Sequence, residues 1–182
     1  MPTIYLVRHG NAAGGFDESI DPGLDDLGHS QASAMAENLA PKGPFALVSS
    51  PLQRAREIAE PLARAWGAAA AIEPRVTEIP SPTAVPAERG AWLKRVMDKQ
   101  WDELGDALAD WRQGILDALA SLEEDTVIVT HFMVINIAAG AALNDKRLVT
   151  LRPDNCSVNV FESAGAGLRL ISRGKELETK VG

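Results

Sequence analysis

Ile4-Tyr5-Leu6-Val7-Arg8-His9-Gly10 is a short apolar run that ends in a cation, an imidazole and a glycine. Val127-Ile128-Val129-Thr130-His131 repeats the pattern far along the chain. Short continuous apolar runs are the mark of strands buried on both faces of a parallel sheet. In an open α/β sheet ligands bind outside the carboxyl ends of the strands, so two strands that each end in histidine point to one shared pocket. The chain has three histidines, and two of them stand at these positions.

Outward from these runs, the chain alternates between apolar strands and amphipathic helices. Residues Asn11 to Asp21, with Gly14-Gly15, read as a loop over the first strand end. A helix follows from about Asp25, capped by Asp25 or Asp26, with Leu27, Ala34, Leu39 and Ala40 as a partial apolar stripe before Pro41. Phe45 to Val48 is a second strand. Ser50 and Pro51 then suit the cap and first position of a helix running to about Trp66.

Ala69 to Ile72 reads as a third strand. The proline-interrupted stretch from Glu73 to Pro86 reads as a long functional loop. Two helices are expected near Ala87 to Lys99 and Trp101 to Leu122, the second from the spacing of Leu104, Leu108, Trp111, Ile115 and Leu119. After the Thr126 to Thr130 strand come a helix from about Met133 to Leu143 and strands at Ser157 to Phe161 and Leu168 to Ser172. The last ten residues read as frayed. The pattern predicts an α/β fold: a three-layer α/β/α sandwich around a mostly parallel central sheet. It also predicts one domain over residues 1–182, with a helical insertion at about 84–112. The insertion is read as a lid, a homodimer face or additional core; its Trp92, Trp101 and Trp111 are candidates for stacking on a substrate ring or sugar, and packing is the commoner use of such residues.

The chain has 182 residues, 46% hydrophobic and 24% charged, which is ordinary for a globular protein. The lone cysteine, Cys156, has no partner for an internal disulfide and no ligand spacing around it, and it is read as a small core residue. With no basic, apolar leader pattern and no run long enough for a membrane span, the expectation is a cytoplasmic protein with no membrane association. A net charge of -7 argues against a nucleic-acid partner. Arg8, Arg54 and Arg56 nevertheless place positive charge near the proposed strand ends, which favours a compact anionic ligand. The histidines and carboxylates lack metal-ligand spacing, so neither metal nor cofactor is expected.

Four motifs in order resemble the histidine phosphatase superfamily, the group that includes phosphoglycerate mutases and many small phosphatases: Leu6-Val7-Arg8-His9-Gly10, Leu24-Asp25-Asp26-Leu27-Gly28-His29-Ser30-Gln31-Ala32, Ser49-Ser50-Pro51-Leu52-Gln53-Arg54-Ala55 and Val129-Thr130-His131. The resemblance implies a phosphoglycerate mutase-like fold and a phosphatase working through a phosphohistidine at His9. It makes Arg8 and Arg54 the phosphate-clamping arginines, a task suited to planar, permanently charged forks. It makes His131 the second imidazole, donating to phosphoryl oxygens, and Glu78 the acid that protonates the leaving oxygen. A hydrogen bond from one nitrogen of His9 to a nearby carbonyl would fix its tautomer. Asn11 is a supporting phosphate ligand. Arg56 falls on the opposite helix face and is assigned to the surface, as is His29. Asn155 is read as structural.

Two departures from the family stand out: Phe132 where glycine usually follows the second histidine, and the missing glycine after Glu78. The leading expectation is a metal-independent phosphomonoesterase acting on a small phosphorylated substrate. The alternatives are a phosphohistidine protein phosphatase acting on a phosphohistidine protein, a phosphoglycerate mutase-type phosphoryl transferase, and a catalytically weak phosphate-binding module.

Overall fold

The computed structural model describes residues 1–177. Six strands form a single sheet: β1 (Thr3–Arg8), β2 (Ala46–Ser49), β3 (Ala71–Ile72), β4 (Thr126–Thr130), β5 (Val158–Ala164) and β6 (Gly167–Ser172). Their spatial order is β3-β2-β4-β1-β5-β6. The first four are mutually parallel, whereas β5 pairs antiparallel with β1 and β6 with β5. Five helices complete the fold: α1 (Asp26–Leu39), α2 (Gln53–Trp66), α3 (Pro86–Val96), α4 (Asp106–Ala120) and α5 (Phe132–Leu143).

Side chains alternate across each strand, and the two faces bury separate cores. Val7, Leu47, Val127 and Val129 pack with Ala32, Met35 and Leu39 of α1 and Ala55, Ile58 and Leu62 of α2. Ile4, Leu6, Ile128 and Phe161 pack on the opposite face with Ile115 and Leu119 of α4 and with α5. This is the expected three-layer α/β/α sandwich. β4 is buried at every position, in keeping with its unbroken apolar run. Among the described residues, no helix is long and apolar enough to cross a membrane.

Several local expectations are corrected. Leu27 is 57% exposed and Ala34 is also exposed; the inward face of α1 is Gly28, Ala32, Met35, Ala36 and Leu39. Asp25, not Asp26, caps this helix, accepting from the Gly28 N–H at 2.8 Å. Ser50 does not cap α2. The helix begins at Gln53, and the Asp21 carboxylate, reaching in from the loop, accepts the Gln53 N–H at 2.8 Å. The helix predicted over Trp101 to Leu122 breaks into a 3-10 turn at Trp101–Glu103 and α4, with Gly105 between them. Trp101 is buried, while Trp92 and Trp111 are partly buried against the same core. Cys156 is half-buried in a turn with φ of 56° rather than embedded in the core. Of the tail read as frayed, residues 174–177 hydrogen-bond to residues 152–159; residues 178–182 lie outside the described residues.

Two buried polar anchors place the loops beside the strand ends. The Thr130 hydroxyl donates to the Val76 carbonyl at 2.7 Å and, with Val76 and Ile79 buried, holds the segment carrying Glu78 against the end of β4. Asn136 of α5 accepts from the backbone N–H groups of Thr150 and Leu151, at 2.6 and 2.8 Å. It thereby fixes the chain leading to Pro153, whose carbonyl meets Arg8.

Candidate active site

The register of the sheet assembles the site. Arg8 pairs with Thr130 across the β1–β4 ladder, so the next residue of each strand, His9 and His131, emerges beside the other. Their ring centroids are 5.3 Å apart at 58°. Ser49 pairs with Val129 on the other side of β4, which carries Ser50 to His131 as well. The His9 N–H continues the ladder to the Thr130 carbonyl at 3.0 Å, and the Ser50 N–H reaches the Val129 carbonyl at 2.9 Å.

His9 Nδ1 lies 2.8 Å from the Gly10 carbonyl. A carbonyl only accepts, so Nδ1 carries the proton and Nε2 keeps a free lone pair. Burial, and then the positive charges of Arg54 and Arg8, lower the imidazole pKa to about 3. His9 is therefore neutral throughout the ordinary pH range.

His131 is buried completely. Its Nδ1 faces Arg54 Nη2 at 3.3 Å, and its Nε2 faces the Ser50 hydroxyl oxygen at 2.7 Å. The guanidinium cannot accept, so Nδ1 is the acceptor and Nε2–H donates to Ser50. Burial, Arg54, His9 and Arg8 together hold its pKa well below the usual histidine value. The proton expected to point at a phosphoryl oxygen is thus turned toward Ser50.

Arg54 sits in the first turn of α2, where the helix dipole favours an anion, and is buried. Arg8 donates from Nη1 to the Pro153 carbonyl at 2.8 Å, and its guanidinium carbon lies 5.3 Å from the Phe132 ring centroid. Phe132, standing where the family usually has glycine, supplies an apolar wall and a cation–π contact to Arg8. Arg8 Nε is buried without an acceptor among the described residues. The Glu78 side chain, 13% exposed, approaches His131 Nδ1 at 3.9 Å. Burial raises its pKa, with the Ile79 N–H, Arg54, Arg8 and the Met133 N–H acting in the opposite direction.

Arg8, His9, Arg54 and Glu78 open into one cavity of about 480 Å³. Its walls are the 11–22 loop, with Asn11 and Phe16, and the inward face of α3, with Arg89, Gly90, Leu93 and Lys94. Asn11 is brought to the wall, but its amide nitrogen donates to Asp25 and its backbone N–H to Gln31 Oε1, so it ties the loop to α1. Arg56 and His29 are exposed. Asn155, read as structural, lines the cavity.

Ser50 and Arg89 are the residues that sequence reasoning missed at the site. Ser50 follows a strand end, the same signal that singled out the histidines, but was absorbed into a capping reading. Arg89 carries no local signal. Among the described residues, no group of three or more His, Cys, Asp or Glu side chains is arranged to hold a metal ion.

This cavity is therefore lined by two guanidinium cations, the neutral His9 imidazole and a carboxyl whose pKa burial raises, with the His131 imidazole buried beside His9, a set suited to in-line transfer of a phosphoryl group. The family model of the histidine phosphatase superfamily (branch 1) matches residues 4–175. A probable phosphoglycerate mutase of Erwinia tasmaniensis is 30% identical over 183 residues, covering 87% of this chain and 84% of that protein. A glucosyl-3-phosphoglycerate phosphatase of Mycolicibacterium vanbaalenii is 34% identical over 113 residues, 54% of this chain and 49% of that protein. The fold is shared with a mycobacterial glucosyl-3-phosphoglycerate phosphatase complexed with VO3, at a TM-score of 0.70, 24% identity and coverage of 94% and 98% of the two chains. It is also shared with a phosphoserine phosphatase of Entamoeba histolytica in complex with 3-phosphoglyceric acid, at a TM-score of 0.73, 21% identity and coverage of 96% and 98%. The chain belongs to the histidine phosphatase superfamily, branch 1.

Proposed function

We propose that this chain is a metal-independent phosphomonoesterase working through a phosphohistidine at His9. The observation that carries the reading is the His9 tautomer: Nδ1–H is held by the Gly10 carbonyl while Nε2 faces a cavity flanked by Arg8 and Arg54. Nε2 attacks phosphorus as the bond from phosphorus to the leaving alcohol oxygen breaks, and the Glu78 carboxyl gives that oxygen its proton. Water then enters from the same side. Its proton passes to the Glu78 carboxylate, its oxygen joins phosphorus, and His9 departs as neutral imidazole. Arg8 and Arg54 bind the equatorial oxygens whose charge is spread in transfer.

His131 acts through Ser50, whose hydroxyl both accepts and donates. When an anion draws Arg54 away from Nδ1, the His131 proton can move to Nδ1 while Ser50 donates to Nε2. This exchange reconciles the tautomer seen here with a hydrogen bond from His131 to a phosphoryl oxygen.

A small substrate is favoured over a protein because His9 is only 9% exposed, beneath the 11–22 loop and α3. The same reading takes the chain as one catalytic domain, with the insertion at about 84–112 roofing the pocket. With p-nitrophenyl phosphate as substrate, His9→Ala is expected to lose at least about 10³-fold in turnover, and a rapid quench of the wild type in alkaline detergent to trap an alkali-stable, acid-labile phosphoryl label. Near wild-type turnover by a folded His9→Ala would overturn the proposal, as would loss of wild-type activity on EDTA dialysis for its metal-independent part.

A further inference from the structure

The chain that leaves His9 is tied to the helix that carries Arg54. The Asn11 carbonyl accepts the Asp25 N–H at 3.2 Å, and the Ala13 N–H donates to the Gly23 carbonyl at 2.8 Å. The excursion between them therefore closes on itself as a strap beside the nucleophile. Its returning limb lies along the first two turns of α2. Asp21 accepts the Gln53 N–H at 2.8 Å, and the Leu24 N–H donates to Glu57 at 2.6 Å. Glu57 accepts in turn from the Gln53 side-chain amide at 2.8 Å. The fit is tight: a Cβ at Gly23 would lie 2.8 Å from Gln53 Nε2 and 3.0 Å from Glu57 Oε1.

The strap thus meets α2 at the residue next to Arg54. Leu52, at the N-cap position, has no side-chain acceptor, and Asp21 satisfies an N–H that the helix itself leaves unpaired. The first turn of α2 has no acidic residue either, so Asp21 supplies the negative charge that the positive end of a helix favours. With the Gln53 N–H already committed, α2 meets a phosphate with the Arg54 side chain. Burial opposes the charge on that side chain, whereas Glu78 and Asp21 favour it. Asp21 is itself exposed and stands outside the cavity wall, so any effect it has on a ligand passes through the residues it holds.

We propose that Asp21 is a positioning residue: by anchoring the strap to the first turn of α2, it fixes Arg54 relative to His9. The inference rests on the phosphatase reading for its effect on turnover, and vanadate binding tests it without turnover. In Asp21→Ala, the calorimetric affinity for vanadate and kcat for p-nitrophenyl phosphate are each expected to fall about ten-fold, with KM changed less than about three-fold. Asp21→Asn keeps an acceptor oxygen and removes the charge, and is expected to recover both values to within about three-fold of the wild type.

Arg54→Met supplies the second readout. A residue that acts through Arg54 loses its effect once Arg54 is gone, so adding Asp21→Ala to Arg54→Met is expected to lower kcat less than about two-fold. A purely structural role would lower the urea midpoint of Asp21→Ala and leave its vanadate affinity and kcat at wild-type values, and that result overturns the proposal. So does a ten-fold loss repeated in the Arg54→Met background, or an Asp21→Asn variant as impaired as Asp21→Ala. Failure of the phosphatase reading would appear differently, as a vanadate affinity that falls in Asp21→Ala and recovers in Asp21→Asn while no phosphomonoester is hydrolysed.

Discussion

Glu78 and the two histidines occupy one buried site and are driven in opposite directions: burial favours the neutral form of each, which raises the acid and lowers the bases. In the proposed mechanism, a bound phosphate would offset the arginine charges that pull the Glu78 pKa down, adding to the upward shift that burial causes. Glu78→Gln is expected to lower kcat about 10²- to 10⁴-fold for alkyl phosphates, whose leaving oxygen needs a proton. For p-nitrophenyl phosphate, whose leaving group needs little assistance, the loss should be much smaller. Equal losses on both esters would remove Glu78 from the proton-donor role.

The histidines also set how stability varies with pH. In the unfolded chain each takes up a proton below about pH 6.5, whereas folded His9 stays neutral down to about 3. The unfolded state therefore binds more protons between these limits, and stability is present above pH 6.5 and lost as pH falls. His9 contributes a slope approaching roughly 1.4 kcal/mol per pH unit in that window, and His131, also held well below its usual value, acts in the same direction. Urea midpoints between pH 4.5 and 7.5 should fall with acidification, and less steeply in His131→Gln; parallel curves would contradict the assignment.

At the scale of elements, α1 docks on the loop after β1 through a backbone contact that only glycine permits. A Cβ at Gly28 would lie 2.2 Å from the Asn11 carbonyl oxygen, and that oxygen also accepts the Asp25 N–H at 3.2 Å. Gly28→Ala must push the first turn of α1 away from the chain that carries His9. The expected cost is about 1–3 kcal/mol, in the range of overpacked cores, with kcat lowered as well. A urea midpoint and turnover like those of the wild type would show that the loop gives way freely. The α2 terminus makes a related point. Ser50-Pro51 is a good local capping sequence, yet Asp21 supplies the acceptor and Ser50 is left for His131. Local sequence could not rank these partners, because the competition is settled by a loop residue that arrives only when the chain folds.

For the molecule as a whole, cations from β1, α2 and α3 converge on one cavity although the chain is acidic. Arg54 lowers the affinity of Arg8 for its proton and Arg89 lowers that of Arg54, a repulsion that a phosphate-like ligand would relieve. Vanadate at about a hundred times its Kd should stabilise the fold by about 2.7 kcal/mol, which corresponds to roughly 5–11 °C in Tm for a chain of this size. The shift should be lost in Arg54→Met, and a wild-type Tm that does not respond to vanadate would count against an anion site. The alternation of strands and helices, the two faces of the sheet and the strand-end positions of Arg8, His9 and His131 were legible in the sequence, because apolar periodicity and turn residues are local signals. Glu78 was legible only through the family resemblance. What the tertiary structure alone decided was lateral: the β1–β4 register that sets His9 beside His131, the β2–β4 register that brings Ser50 to them, and the return of α3 over the 11–22 loop that adds Arg89. Such juxtapositions join residues far apart in the chain, and the packing that selects them leaves no pattern within any one segment.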